Sequence, residues 1–104
     1  GIAVRALSER KFLSSVVRRI THERQKMTRK LEALGFVVYP SDANFLLAKA
    51  PIRSRTLVGR LLKRGIVIKD LGAHPRLLDH VRITLGNADQ NDRLLRAISR
   101  SLGR

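Results

Sequence analysis

Arg82 is the residue of this sequence whose type and setting most directly offer chemistry. It stands in the run His80-Val81-Arg82-Ile83-Thr84-Leu85, where Val81, Ile83 and Leu85 alternate with Arg82 and Thr84. An alternation of period two marks a strand with one wet face, so the run predicts a strand that points Arg82 away from the core. A guanidinium is a planar fork that holds a carboxylate or a phosphate through two parallel hydrogen bonds. A strand fixes that fork more firmly than a loop does. Lys69 follows Ile66-Val67-Ile68, which reads as the preceding strand. If the two strands are neighbours, Lys69 and Arg82 address one anion. The competing reading of Arg82 is an exposed strand arginine paired with a nearby acid.

The other candidates lead nowhere. His22, His74 and His80 share no ligand spacing, so no metal site is expected. The sequence has no cysteine, which excludes disulfides and thiolate ligands. No GxSxG, P-loop or GxGxxG motif occurs, and no acidic pair stands out as an acid and a base. Ser8-Glu9-Arg10-Lys11 has the spacing of a serine and lysine pair, but capping of a helix start explains Ser8 better.

The elements that must carry Arg82 and Lys69 can be read along the chain. Its 104 residues fit one domain, residues 1–104, with one core. Ser8 and Glu9 suit the start of a helix whose apolar residues Leu13, Val17, Ile20, Met27, Leu31 and Leu34 recur at helical spacing, widened by Phe12 and Val16. Gly35 ends it. Strands are expected at Phe36–Tyr39 and Asn44–Ala48, joined by the turn residues Pro40-Ser41-Asp42-Ala43 as a hairpin. Ser54 can cap a short helix with Leu57, Val58, Leu61 and Leu62 inward and Gly65 at its end. The strand at 66–68, a loop at 70–79 and the strand at 80–85 follow. Asn87 and Gln90 form a capping box for a last helix with Leu94, Leu95, Ile98 and Leu102 inward. The order is α-β-β-α-β-β-α. It predicts an α+β fold, a two-layer sandwich in which helices cover one face of a small, mainly antiparallel sheet.

Charge raises a separate question. The 22 Lys and Arg against 8 Asp and Glu give a formal charge of +14. Such an excess makes nucleic acid a suspect. The basic residues are spread along the chain, the largest group being Arg18, Arg19, Arg24, Lys26, Arg29 and Lys30 with Glu23 and Glu32 among them. Aromatics make up only 4% of the residues, which leaves few stacking platforms for single strands. The alternative is a solvated basic surface. No run of 18 apolar residues is present to span a membrane, and GIAVRALSER is too short and too charged for a secretory signal. The expected setting is reduced and cytoplasmic.

Five motifs occur in a telling order: Glu32-Ala33-Leu34-Gly35-Phe36, Tyr39-Pro40-Ser41-Asp42-Ala43-Asn44-Phe45-Leu46-Leu47, Gly65-Ile66-Val67-Ile68-Lys69-Asp70-Leu71-Gly72, Val81-Arg82-Ile83-Thr84-Leu85-Gly86 and Asn91-Asp92-Arg93-Leu94-Leu95. In that order the chain resembles the C-terminal small domain of the histidinol-phosphate aminotransferases, pyridoxal-phosphate enzymes of aminotransferase fold type I. The resemblance covers essentially the whole chain. It implies a parent homodimer that moves an amino group between histidinol phosphate and 2-oxoglutarate in histidine biosynthesis. Arg82 then matches the family arginine that clamps the anionic end of the substrate. Lys69 stands where the family usually has a second arginine for the same anion, keeping the charge and losing the fork. Asn44 matches the hairpin asparagine, read here as turn and packing chemistry. None of the 6 lysines follows a serine as the pyridoxal lysine of the family does. The resemblance therefore implies no catalytic and no cofactor-binding residue in this chain, a cofactor held by an absent large domain, and no transamination by the chain alone. A pyridoxal-dependent threonine-phosphate decarboxylase and a basic nucleic-acid-binding module are the other two readings.

Overall fold

A computed structural model describes residues 2–41 and 43–104, and the side chains of all of these except residues 2–10 and 12. The elements in order are α1 (Ile2–Ala33), β1 (Val37–Val38), β2 (Phe45–Lys49), α2 (Ser54–Lys63), β3 (Lys69–Asp70), a 3-10 turn (Pro75–Leu77), β4 (His80–Thr84) and α3 (Ala88–Ser101). The four strands form one sheet in the order β1-β2-β4-β3, and every neighbouring pair is antiparallel. The α+β architecture expected from the element order is the one observed.

The period-two pattern of the strands explains which sheet face is covered. Leu46 and Ala48 of β2 and Val81 and Ile83 of β4 are buried on one face. They meet Leu57 and Leu61 of α2, Leu94, Leu95, Ala97 and Ile98 of α3, and Met27 and Leu31 of α1 in one core cluster. Because consecutive strand residues point to opposite faces, Phe45, Leu47, Lys49, Arg82 and Thr84 are left on the other face. No helix packs there among the described residues.

Helix ends follow the expected chemistry in part. Gly35 and Gly65 carry φ of 98° and 79°, the left-handed conformation that glycine adopts freely after a helix. The Asn87 side chain accepts from the Gln90 backbone N–H, and the Gln90 side chain accepts from the Asn87 backbone N–H, closing the expected capping box. Ser54, expected to cap α2, is instead its first helical residue. The cap comes from across the fold, where Asp79 Oδ1 accepts from the Ser54 backbone N–H at 3.2 Å.

Four further expectations are corrected. Helix α1 starts at Ile2, so Ser8 lies within it and not at its start. The turn residue Asp42 lies outside the described residues. The strand expected at Ile66–Ile68 is paired only at Lys69–Asp70. Ile68 is buried there, but Val67 is 79% exposed. The apolar stripe of α1 also splits. Met27 and Leu31 are fully buried, whereas Leu13 and Val17 are each 60% exposed. A helix of 32 residues is about 48 Å long at 1.5 Å per residue, and the sheet reaches only its C-terminal part. Leu62, expected inward, is likewise exposed.

Candidate functional site

The open sheet face is where the chain gathers its chemistry. Strand β4 is central, with β2 on one side and β3 on the other. Arg82 lies directly opposite Leu47 of β2 and directly opposite Lys69 of β3. Residues opposite each other in an antiparallel ladder share a face, with Cβ atoms about 4.5–5.5 Å apart. Lys69 and Arg82 therefore rise side by side from one face, and both are exposed.

The neighbours of Arg82 set its direction. Phe45 lies diagonally across on β2, and the Arg82 guanidinium carbon sits 5.7 Å from the centre of its ring. That distance is within the range of a cation–π contact. At the other end of β4, His80 is buried on the same face. Its Nδ1 lies 2.8 Å from the Leu78 carbonyl oxygen, so Nδ1 carries the proton and donates it there. Its Nε2 then accepts from the Tyr39 hydroxyl at 2.8 Å, and the two rings stack with centroids 5.5 Å apart. His80 is a built part of the sheet surface.

Among the described residues no acid pairs with Lys69 or Arg82. Asp70, next to Lys69, faces the covered side. There its Oδ1 accepts from Ser54 Oγ and from the Gly72 backbone N–H, each at 2.8 Å. Among the described residues the ion pair present is Lys26–Asp92, at 2.9 Å and remote from Arg82 in the ladder. The competing reading of Arg82, a strand arginine paired with an acid, finds no partner among the described residues. Asn44 contributes its backbone carbonyl, which accepts from the Leu85 N–H at 2.8 Å and extends the ladder between β2 and β4.

Tyr39, Phe45 and His80 escaped the sequence reading as parts of this face. All three occur in strand-like runs, so the alternation could have assigned each a side. Alternation along β4 alone puts His80 on the face of Arg82, and the register across β1, β2 and β4 brings Tyr39 and Phe45 there. The face offers Arg82, a fork, with Lys69 directly beside it and Lys49 further along β2, none of them in an ion pair among the described residues, bordered by exposed Tyr39, Phe45 and Val37. That combination suits the anionic end of a small molecule held under a covering layer.

The chain is similar to known proteins over most of its length. The family described as aminotransferase class I and II matches residues 1–98. Histidinol-phosphate aminotransferase of Thermococcus gammatolerans is 41% identical over 98 residues, 94% of this chain and 26% of that relative. The solved histidinol-phosphate aminotransferase from Clostridium acetobutylicum superposes with a TM-score of 0.81 at 28% identity, covering 93% of this chain and 30% of that one. L-threonine-O-3-phosphate decarboxylase from Porphyromonas gingivalis superposes with a TM-score of 0.65 at 23% identity over 81% of this chain, a likeness of fold alone. The chain spans 26% to 30% of the length of these aminotransferases.

Proposed function

This chain belongs to the class I and II aminotransferases, and from that premise we propose that it is the C-terminal small domain of a histidinol-phosphate aminotransferase. In this reading the parent enzyme, a cytoplasmic homodimer, moves an amino group between histidinol phosphate and 2-oxoglutarate. The contribution of this domain is to hold the anionic end of either substrate with Arg82 and Lys69. One observation carries the assignment: Lys69 stands opposite Arg82 on the open face of the sheet, and neither cation is neutralised by an acid among the described residues.

The chemistry of the site follows from the two side chains. The Arg82 fork donates two parallel hydrogen bonds to a carboxylate or to two phosphate oxygens and so fixes the direction of the substrate. Lys69 adds a compact positive charge without that directionality. A phosphate, which carries more negative charge than a carboxylate, gains more from Lys69. The pair therefore favours the phosphorylated substrate over the dicarboxylate more than two arginines would. Phe45 under the guanidinium limits the directions Arg82 can take, and the Tyr39–His80 pair forms a rigid wall beside it.

Pyridoxal phosphate supplies the electron sink in this family, and the residues of this chain do not fit it. A lysine that forms a Schiff base must lose its charge in a desolvated site near the partner of the cofactor ring. Lys26 is tied to Asp92, which raises its pKa. Lys11, Lys30, Lys49, Lys63 and Lys69 are exposed. The reading therefore assigns the cofactor site to the remainder of the polypeptide, and this domain only positions substrate.

The test is the reaction of the full-length protein carrying this sequence. Incubation with histidinol phosphate and 2-oxoglutarate should yield glutamate. Release of carbon dioxide from threonine phosphate without glutamate formation would assign the chain to the decarboxylases instead.

A further inference from the structure

A second anion site lies on the helical layer, away from the open sheet face. The C-terminal ends of α2 and α3 meet there around a cavity of about 380 Å³ lined by Arg60, Lys63, Arg64, Arg100, Ser101 and Gly103. Four of those six residues are cations, and no acid among the described residues lines the cavity.

Cations at helix C-termini ordinarily complement the negative end of the helix dipole. Here that demand is met by other groups. The Leu61 and Leu62 carbonyls accept from the backbone N–H groups of Arg64, Gly65 and Ile66. The Ile98, Ser99 and Arg100 carbonyls accept from those of Leu102, Gly103 and Arg104. Of the four side chains only that of Arg60 is used by the fold among the described residues, donating to the Ser101 carbonyl at 2.6 Å. Lys63, Arg64 and Arg100 have no acid within ion-pair distance among the described residues.

A second, independent observation comes from Ser101. The residue is 4% exposed, and its hydroxyl is buried without any hydrogen-bond partner. An unpaired buried hydroxyl is a standing cost to the fold unless some group completes it. Ser101 is among the residues that line the cationic cavity, with its hydroxyl oxygen closed off from solvent behind that lining. Three free cations, one cation fixed on a carbonyl and an unsatisfied hydroxyl around a small cavity suit a compact ligand of high negative charge.

We infer that this cavity binds a di- or triphosphate group, with Arg64 and Arg100 as its principal ligands, Lys63 as a further charge and the Ser101 hydroxyl, which has no partner to hold it, turning outward to donate to a phosphate oxygen once the anion is seated. The site is independent of the substrate clamp. Arg82 projects from the opposite face of the sheet, and the two are separated by the core.

The probe is inorganic pyrophosphate, titrated calorimetrically into the full-length protein at low salt, with the Arg82→Ala variant used to remove binding at the sheet face. One pyrophosphate should remain bound in that background. Arg64→Glu with Arg100→Glu should weaken it by about tenfold or more, a loss of roughly 1.4 kcal/mol per decade. Arg18→Glu with Arg29→Glu changes the net charge equally on the exposed face of α1 and should leave the affinity within about threefold, since exposed charges far from the site are screened. Ser101→Ala should weaken binding by about threefold to tenfold, the value of one hydrogen bond, without lowering the melting temperature, because its hydroxyl has no partner to lose. Equal weakening by both double variants would show diffuse attraction and overturn the site, as would a failure of the Arg82→Ala protein to bind pyrophosphate at millimolar concentration. A charge-retaining variant, Arg64→Lys with Arg100→Lys, guards against misfolding. It should keep most of the affinity, and its loss alongside an unchanged circular dichroism spectrum would also refute the assignment of a charge-based site.

Discussion

Removal of the Arg82 guanidinium is the sharpest perturbation of the proposed substrate clamp. Arg82 stands in the central strand with Lys69 directly opposite, so one bound anion can touch both. The fork gives two charge-assisted hydrogen bonds of about 1.5–3 kcal/mol each, and solvent screening at the exposed face reduces their sum to roughly 2–3 kcal/mol. Arg82→Ala should therefore raise KM for histidinol phosphate by about 30- to 150-fold at a rate of roughly tenfold per 1.4 kcal/mol. Lys69→Ala removes one point charge and should raise the same KM by about fivefold, the size of a near-surface ion pair. Its effect on 2-oxoglutarate should be smaller, because the carboxylate carries less charge. Lys69→Arg should restore a second fork and narrow the difference between the two substrates. The assay is steady-state kinetics of the full-length enzyme with each substrate varied, alongside thermal melts to confirm folding. Because both side chains address one anion, the double variant should depart from additivity by about 0.5 kcal/mol or more. An unchanged KM for both substrates in Arg82→Ala would remove the clamp from this face. Strict additivity with raised KM would mean that Lys69 and Arg82 hold different groups.

Other consequences concern the frame that carries the clamp. Ile83 is fully buried between Arg82 and Thr84, and Ile83→Ala should cost about 2–4 kcal/mol in denaturant unfolding. Asn91 is 1% exposed and binds the Gly86 N–H at 2.9 Å, the Gly86 carbonyl at 3.1 Å and Glu23 Oε2 at 3.0 Å. Asn91→Ala strands these groups and should destabilise by about 2–3 kcal/mol, whereas Asn91→Asp should do worse by facing Glu23 with a like charge. The hydrogen bond to Lys26 holds the Asp92 carboxyl below its ordinary pKa, and the same bond raises Lys26. The Asp92 contribution is complete above the ordinary carboxylate range and is lost as pH falls through the lowered value. The Lys26 contribution is complete below the ordinary lysine range and is lost as pH rises through the raised one. Stability measured against pH should lose its low-pH component in Asp92→Asn, and high salt should flatten it in the native chain.

Much of the fold was legible because its signals are local. The Asn87–Gln90 capping box, the helix stops at Gly35 and Gly65, and the alternation of Val81, Arg82, Ile83 and Thr84 each depend on residues a few positions apart. The failures share one cause. Ile66-Val67-Ile68 carries an apolar run fit for a strand, but a strand exists only where a partner ladder accepts it, and β4 pairs with Lys69 and Asp70. Leu13 and Val17 carry helical periodicity, yet the helix extends beyond the sheet that would bury them. Ser54 looks like a cap, but Asp79, with its backbone held at φ 62°, reaches the same N–H from 25 positions away.

The sequence by itself determined the kinds of element, their order, and the wet side of each strand, because side-chain direction repeats every two residues in a strand and every 3.6 in a helix. It also put the most informative cation, Arg82, on that wet side. Only the tertiary structure decided the order β1-β2-β4-β3 and the register that seats Lys69 opposite Arg82 and Phe45 beneath it. A slip of one residue in that pairing would have turned Arg82 into the core. Likewise, Arg60 and Arg100 are 40 positions apart, and only the packing of α2 against α3 brings them to one cavity. Local periodicity chooses a face, whereas the joint burial of distant apolar residues chooses which faces meet.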